Sequence, residues 1–288
     1  MRWDEQHESQ DLIDRRNEGG GRGGGGLVDL FLWLLPWLVR SPFGWLIILG
    51  FLAFAVFQGV THGLLQGGVQ QGTGETGSHV NDPEGHFVAF VLDDVQSTWQ
   101  TQFAEHGWPY RHAKLVLFSG STRTACGYGD AATGPFYCPD DERVYIDLSF
   151  YDELSQRLGA GGQFAQAYVI AHEMGHHVQN LLGTSEKVGA HAQGATGGSV
   201  RLELQADCYA GIWAHSTGQR DLLEKGDIES AVRAAAAIGD DRLQRESTGR
   251  VRPDSFTHGT SEQRVRWFKR GYDTGSITAC DTFSAKGL

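Results

Sequence analysis

Apolar and polar positions divide the chain into five stretches. Residues 1–26 are polar and end in the Gly-rich "NEGGGRGGGG". Residues 27–42 are apolar, but Asp29, Pro36 and Arg40 interrupt the run. Phe43 to Val60, "FGWLIILGFLAFAVFQGV", is apolar apart from Gln58. Residues 61–85 return to Gly- and Gln-rich sequence, which reads as linker because glycine maximises backbone entropy and has no side chain to bury. From residue 86 to 288 the apolar positions recur at the spacings of helices and strands, and this marks a folded domain.

The run over 43–60 is close to the roughly 20 residues a helix needs to cross a hydrocarbon core. A cleaved signal peptide would need a basic leader near the start of the chain, whereas this run begins only at Phe43. A single transmembrane helix at 43–60 is therefore expected. Residues 27–42 are too short to span alone and fit an interfacial helix rich in Trp and Leu. A hairpin turning at Arg40-Ser41-Pro42 is the alternative, and it would leave both ends of the protein on one side. Arg2, Arg15, Arg16, Arg22 and Arg40 precede the span, and no Lys or Arg falls between Thr61 and Arg111. The positive-inside bias then places the N-terminus in the cytoplasm and residues after about 61 outside, in a single-pass cell-membrane protein.

Within the domain, Phe87, Phe90, Val91, Val95, Trp99 and Phe103 stand near helical spacing and predict a helix ended by Gly107 and Pro109. "AKLVLFSG" and "ERVYIDLS" are β-branched and aromatic runs that predict strands. Helices follow at "LSFYDELSQRLGAGG", at Gln163 to Leu182, at "SVRLELQADCYAGIWAHSTG", at "DIESAVRAAAAIGDDRLQ" with Asp227 as cap, and at "SEQRVRWFKRGY". The class is α+β, mostly helical with a small strand region.

Charge and cysteine content narrow the function classes. With 24 Lys and Arg against 35 Asp and Glu, the net charge of −11 disfavours nucleic acid as a partner. Cys126, Cys138, Cys208 and Cys280 all follow the expected span, with no Cys-x-x-Cys spacing for a zinc ribbon, so two disulfides in an oxidising compartment are expected. Of the three connectivities, Cys126–Cys138 with Cys208–Cys280 is favoured, since the first two flank a turn-rich loop.

The chemistry lies in "AHEMGHHVQ". His172 and His176 stand one helical turn apart on one face and can share a metal ion, with Glu173 projecting beside it. Gly175 lets another element approach closely. On the following helix Glu203 and Asp207 share a face: Glu203 is the candidate third ligand, and Asp207 can fix the tautomer of a ligating histidine. His177 points about 100° away from His176 and is not expected to ligate.

Four segments, "YVIAHEMGHHVQNLLG", "SVRLELQADCYAGIWA", "GPFYCPDDERVYIDLSFYDEL" and "PDSFTHGTSEQRVRWFKRGY", together with the opening "MRWDEQHESQ", resemble the bacterial neutral zinc metallopeptidase family along nearly the whole chain. That family in turn is similar to membrane zinc endopeptidases with His-Glu-x-x-His followed by Glu-x-x-x-Asp. The resemblance implies a zincin-like, gluzincin-like domain that holds Zn2+ and acts on a protein or peptide substrate. It also implies that His258 and Arg264, six positions apart as in those relatives, act at the reacting carbonyl oxygen, although Gly259 stands where the relatives have Pro. Tyr168 or Tyr209 are alternatives for that oxygen. The expected function is a membrane-anchored zinc peptidase, held by one N-terminal helix, with Glu173 as general base. The competing reading is a cell-envelope binding or scaffolding protein that keeps zinc for structure.

Overall fold

The computed structural model describes residues 1–18, 80–189 and 192–288. The expected interfacial segment at 27–42 and transmembrane helix at 43–60 lie outside the described residues. Among those described, no helix is long and apolar enough to cross a membrane.

Helix α1 (Pro83–Glu105) opens on Asp82, whose carboxylate accepts the Gly85 amide at 2.9 Å, with Pro83 in the first turn where a missing N–H costs nothing. Phe87, Val91, Val95, Trp99 and Phe103 fall on successive turns of it and are all buried. The two expected strands form as β2 (Lys114–Phe118) and β6 (Arg143–Asp147). They run parallel at the centre of a four-stranded sheet of order β1-β2-β6-β5, with β1 (Leu12–Asp14) and β5 (Phe136–Cys138) at its edges. A separate hairpin pairs β3 (Ser121–Thr124) with β4 (Gly127–Asp130).

β1 corrects the expected domain boundaries. Residues 1–17 belong to the same compact unit as 76–288, so they are not a separate polar segment, and that unit begins before residue 86. Leu12, Ile13 and Asp14 pair in parallel with Leu115, Val116 and Leu117, and Leu12 is fully buried. Three residues in polar surroundings give no local signal for a strand; their partner lies about a hundred residues away.

Helices α2 (Ser149–Gln156), α3 (Gln163–Leu181), α4 (Gly198–Gln219), α5 (Asp227–Ala237), α6 (Asp240–Thr248) and α7 (Ser261–Thr274) complete the fold, which is α+β and mostly helical. The single helix expected over 227–244 is broken at Gly239, where the backbone is extended and a side chain would stand 2.4 Å from the Ser261 amide nitrogen. Asp227 is the first residue of α5 and Gly226 its cap.

Two close helix crossings position the site. A Cβ on Gly175 would stand 3.1 Å from the Ala206 Cα and carbonyl oxygen, so α3 meets the backbone of α4. On the other side of α4, Gly211 lies against the Phe268 carbonyl and Gly271 against the Cys208 carbonyl, which locks α4 to α7. Disulfides join Cys126 to Cys138 and Cys208 to Cys280, the favoured pairing.

Candidate metal centre

His172 and His176 on α3 turn their Nε2 atoms toward the Glu203 carboxylate on α4. The His172 Nε2 lies 3.2 Å from Glu203 Oε2, and the His176 Nε2 lies 3.5 Å from Oε1. Each residue offers one donor atom, and these three atoms all lie within 4.8 Å of one another. The separations exceed the roughly 2.7–2.9 Å of a charge-assisted hydrogen bond. The two contacts reach different oxygens of Glu203, so the carboxylate bridges the two imidazoles, and a metal ion shared by the three side chains would sit between their donor atoms.

The outer nitrogens fix which atoms face inward. His172 Nδ1 is 2.9 Å from Asp207 Oδ1 and His176 Nδ1 is 2.9 Å from Gln179 Oε1. A carboxylate and an amide oxygen only accept, so each Nδ1 carries the hydrogen and each Nε2 lone pair is left for the centre. Gln179 is held in turn by donating to the Leu202 carbonyl at 2.7 Å. Burial alone would depress the His172 imidazole, but Asp207 and Glu203 on its two sides raise it to about 10. Glu203 shows the reverse balance: burial opposes its charge, and His176 and His172 lower its pKa well below the usual carboxylate range. With no metal bound the flanking carboxylates favour a proton on His172 Nε2, and a bound cation would take the place of that proton.

Asp207 is fully buried and is clamped by Arg264, which donates through Nε to Oδ2 at 2.9 Å and through Nη2 to Oδ1 at 2.9 Å. The Tyr168 hydroxyl also donates to Oδ1. Burial would raise Asp207 and suppress the Arg264 charge, but each keeps the other ionised. Arg264, 2% exposed, also reaches the Ile238 carbonyl at 3.3 Å. The structure therefore brings Arg264 to the site but turns its guanidinium onto Asp207. Tyr168 is committed in the same way, and Tyr209 packs against Trp99 instead.

The triad opens into a cavity of about 590 Å³ lined by Glu173, His258, Tyr137 and apolar side chains including Phe136, Phe150 and Leu202. Glu173 is 8% exposed and stands in the wall of this cavity beside His172 and His176. His258 lies on the turn before α7, which Asp240 organises by accepting the amides of Thr257, His258 and Gly259 at 2.7–2.9 Å. Its Nδ1 is 3.3 Å from Asp240 Oδ1; that contact, opposed by burial and aided by Glu203, raises its pKa.

The sequence reading missed Gln179 and Tyr137. Tyr137 reaches the cavity from β5, and its hydroxyl lies 3.0 Å from Nδ1 of the buried His177, whose Nε2 meets the Arg111 carbonyl at 2.7 Å. His177 thus ties β5 to α3 and does not face the triad. Gln179 stands three positions after His176, the spacing of a same-face neighbour, and that was the available signal.

The sequence model of the family described as "Putative neutral zinc metallopeptidase" matches residues 1–283. The chain belongs to that family. Among its relatives, "Uncharacterized protein YpfJ" of Escherichia coli K12 is 50% identical over 291 residues, covering 98% of this chain and 99% of its own. "Uncharacterized protein Rv2575" of Mycobacterium tuberculosis H37Rv is 46% identical over 212 residues, 70% of this chain and 71% of its own. No solved structure matches the chain.

Proposed function

We propose that this protein is a zinc-dependent peptidase in which His172, His176 and Glu203 hold the metal and Glu173 is the general base. The observation that carries the reading is the convergence of His172, His176 and Glu203, whose donor atoms all lie within 4.8 Å of one another, with Glu173 in the wall of the same cavity. A site kept for structure alone has no use for Glu173 and closes all four positions with protein ligands. When bound, zinc supplies a Lewis acid that polarises a carbonyl and makes water more acidic.

The chain's own residues supply the rest. Glu173 takes the proton of the attacking water and passes it to the leaving amine. His258, whose pKa is raised by the Asp240 carboxylate beside it, donates to the carbonyl oxygen as negative charge develops there. Arg264 holds Asp207, and through it His172, in place of the contact with the carbonyl oxygen that the resemblance implied. Phe136, Phe150 and Leu202 give the cavity apolar walls against which a peptide side chain can pack.

The test is a Glu173→Gln variant of the full chain. It should bind one zinc per chain like the wild type and cleave an unfolded protein about 10²–10⁴-fold more slowly. Equal cleavage by the variant, or a zinc-loaded wild type that cuts no unfolded protein, would defeat the reading and favour a zinc-stabilised binding protein.

A further inference from the structure

The cavity follows α3 to both sides of the triad. Val169, His172, Glu173 and His176 all line it, and at 1.5 Å of rise per residue they mark about 10 Å of the helix. Toward the start of α3 its walls are Val169, Ile238 at the end of α5 and Leu243 of α6. Those elements are tied to the chain just ahead of α3: Ser230 donates to the Gly161 carbonyl at 3.2 Å, and Arg242, next to Leu243, donates to the Leu158 carbonyl at 2.9 Å. Toward the end of α3 the walls are Tyr137, Leu202 and Ser185. Gln179 holds the Leu202 carbonyl, and Ser185 lies in the turn that follows α3. Tyr137 is fixed there from α3. His177 Nε2 carries a hydrogen for the Arg111 carbonyl, so its Nδ1 accepts from the Tyr137 hydroxyl at 3.0 Å, and Asn180 donates to the same oxygen at 3.1 Å.

The charged groups that line this cavity are committed within the protein. Arg264 donates to Asp207 and His258 meets Asp240, while His172, His176 and Glu203 converge on the metal position with Glu173 beside them. An exopeptidase holds the terminal ammonium or carboxylate of its substrate next to the bond it cuts, and a desolvated charge of that kind needs an opposite charge. The walls on the two sides of the triad are instead uncharged and mostly apolar. We propose, resting on the peptidase reading of the triad, that the site cuts within a chain. An extended segment crosses the metal position, with one apolar side chain against Ile238 and Leu243 and another, across the scissile bond, against Tyr137 and Leu202. Water adds its oxygen to the carbonyl carbon, the C–N bond breaks and the leaving amine takes the proton, so both products are peptides. Burial of an apolar side chain on each side supplies the binding energy that a paired terminal charge supplies in an exopeptidase.

The zinc-loaded full chain would be given short peptides with a central Leu-Leu pair, with both ends free or both blocked by acetyl and amide groups, and the products identified by mass spectrometry. The expected result is one internal cut, at equal rates in blocked and free peptides, with kcat/KM falling about 10-fold or more when either central Leu becomes Glu. Single residues released from one end, and stopped by the block there, would overturn the proposal and leave the peptidase reading standing. A zinc-loaded chain that cuts neither these peptides nor an unfolded protein would end both. Leu243→Glu and Ser185→Glu probe the two sides separately, since both positions are half-buried and line the cavity outside the metal-binding and proton-transfer groups. Each variant should keep its zinc and come to prefer Lys over Leu, the first on one side of the cut bond and the second on the other. A shift on the same side in both, or no shift in variants that keep their zinc, would contradict a cleft that crosses the metal position. Should either variant fail to fold, the wild-type peptide series decides the matter without it.

Discussion

Replacing Asp207 by Asn separates two roles that one carboxylate performs. The side chain is fully buried and takes both N–H edges of Arg264, the Tyr168 hydroxyl and the His172 Nδ1. Asn has nearly the same volume but leaves Arg264, 2% exposed, without a counter-charge. Removing one partner of a buried pair costs about 3–5 kcal/mol, and that is the expected loss of stability without metal. Loss of the carboxylate behind His172 should separately weaken zinc binding about 10–100-fold. The double variant Asp207→Asn/Arg264→Gln distinguishes the two effects. Removing both charges should restore up to about 3 kcal/mol of stability relative to the single variant, the upper end of couplings between contacting residues. Zinc affinity should stay low, because nothing anionic has returned to His172. Urea unfolding in chelator reads the first quantity and competition with a chromophoric chelator near neutral pH reads the second. Wild-type zinc affinity in Asp207→Asn would refute the claim that Asp207 orients His172. A double variant as unstable as the single would refute the ion pair as the source of the loss.

Gly175→Ala places a methyl 3.1 Å from the Ala206 backbone. It should cost about 1–3 kcal/mol and loosen zinc by parting α3 from α4; an unchanged thermal midpoint contradicts the close crossing. His258→Gln should keep full zinc content and lower kcat about 10²–10³-fold with little change in KM, and an unchanged kcat would remove His258 from the chemistry.

What was legible in the sequence was what local periodicity carries. His172 and His176, and Glu203 and Asp207, are each four positions apart on strongly patterned helices, so their shared faces followed from helix geometry. The strands β2 and β6 showed as β-branched runs, and the Cys126–Cys138 bridge followed from a short turn-rich loop. Long-range relations were not legible. The β1 strand has too few residues to show a period, and only its pairing with Leu115–Leu117 makes it a strand. The break at Gly239 depends on Ser261 arriving from α7, and an Ala-rich run gives no hint of it. Arg264 sits at the spacing of a catalytic arginine in similar enzymes. Its partner was decided by the crossing of α4 and α7 at Gly211 and Gly271, which brings Asp207 under it.

The central claim is that three side chains on two neighbouring helices hold one zinc ion and leave a position open. It is tested most directly by metal analysis and zinc-edge X-ray absorption on the purified full chain beside Glu203→Ala. The account predicts one zinc per wild-type chain, two imidazoles and oxygen donors at about 2.0–2.1 Å, and loss of the metal in the variant. A wild-type chain that takes up no zinc, or a variant that keeps it with the same ligands, would contradict it.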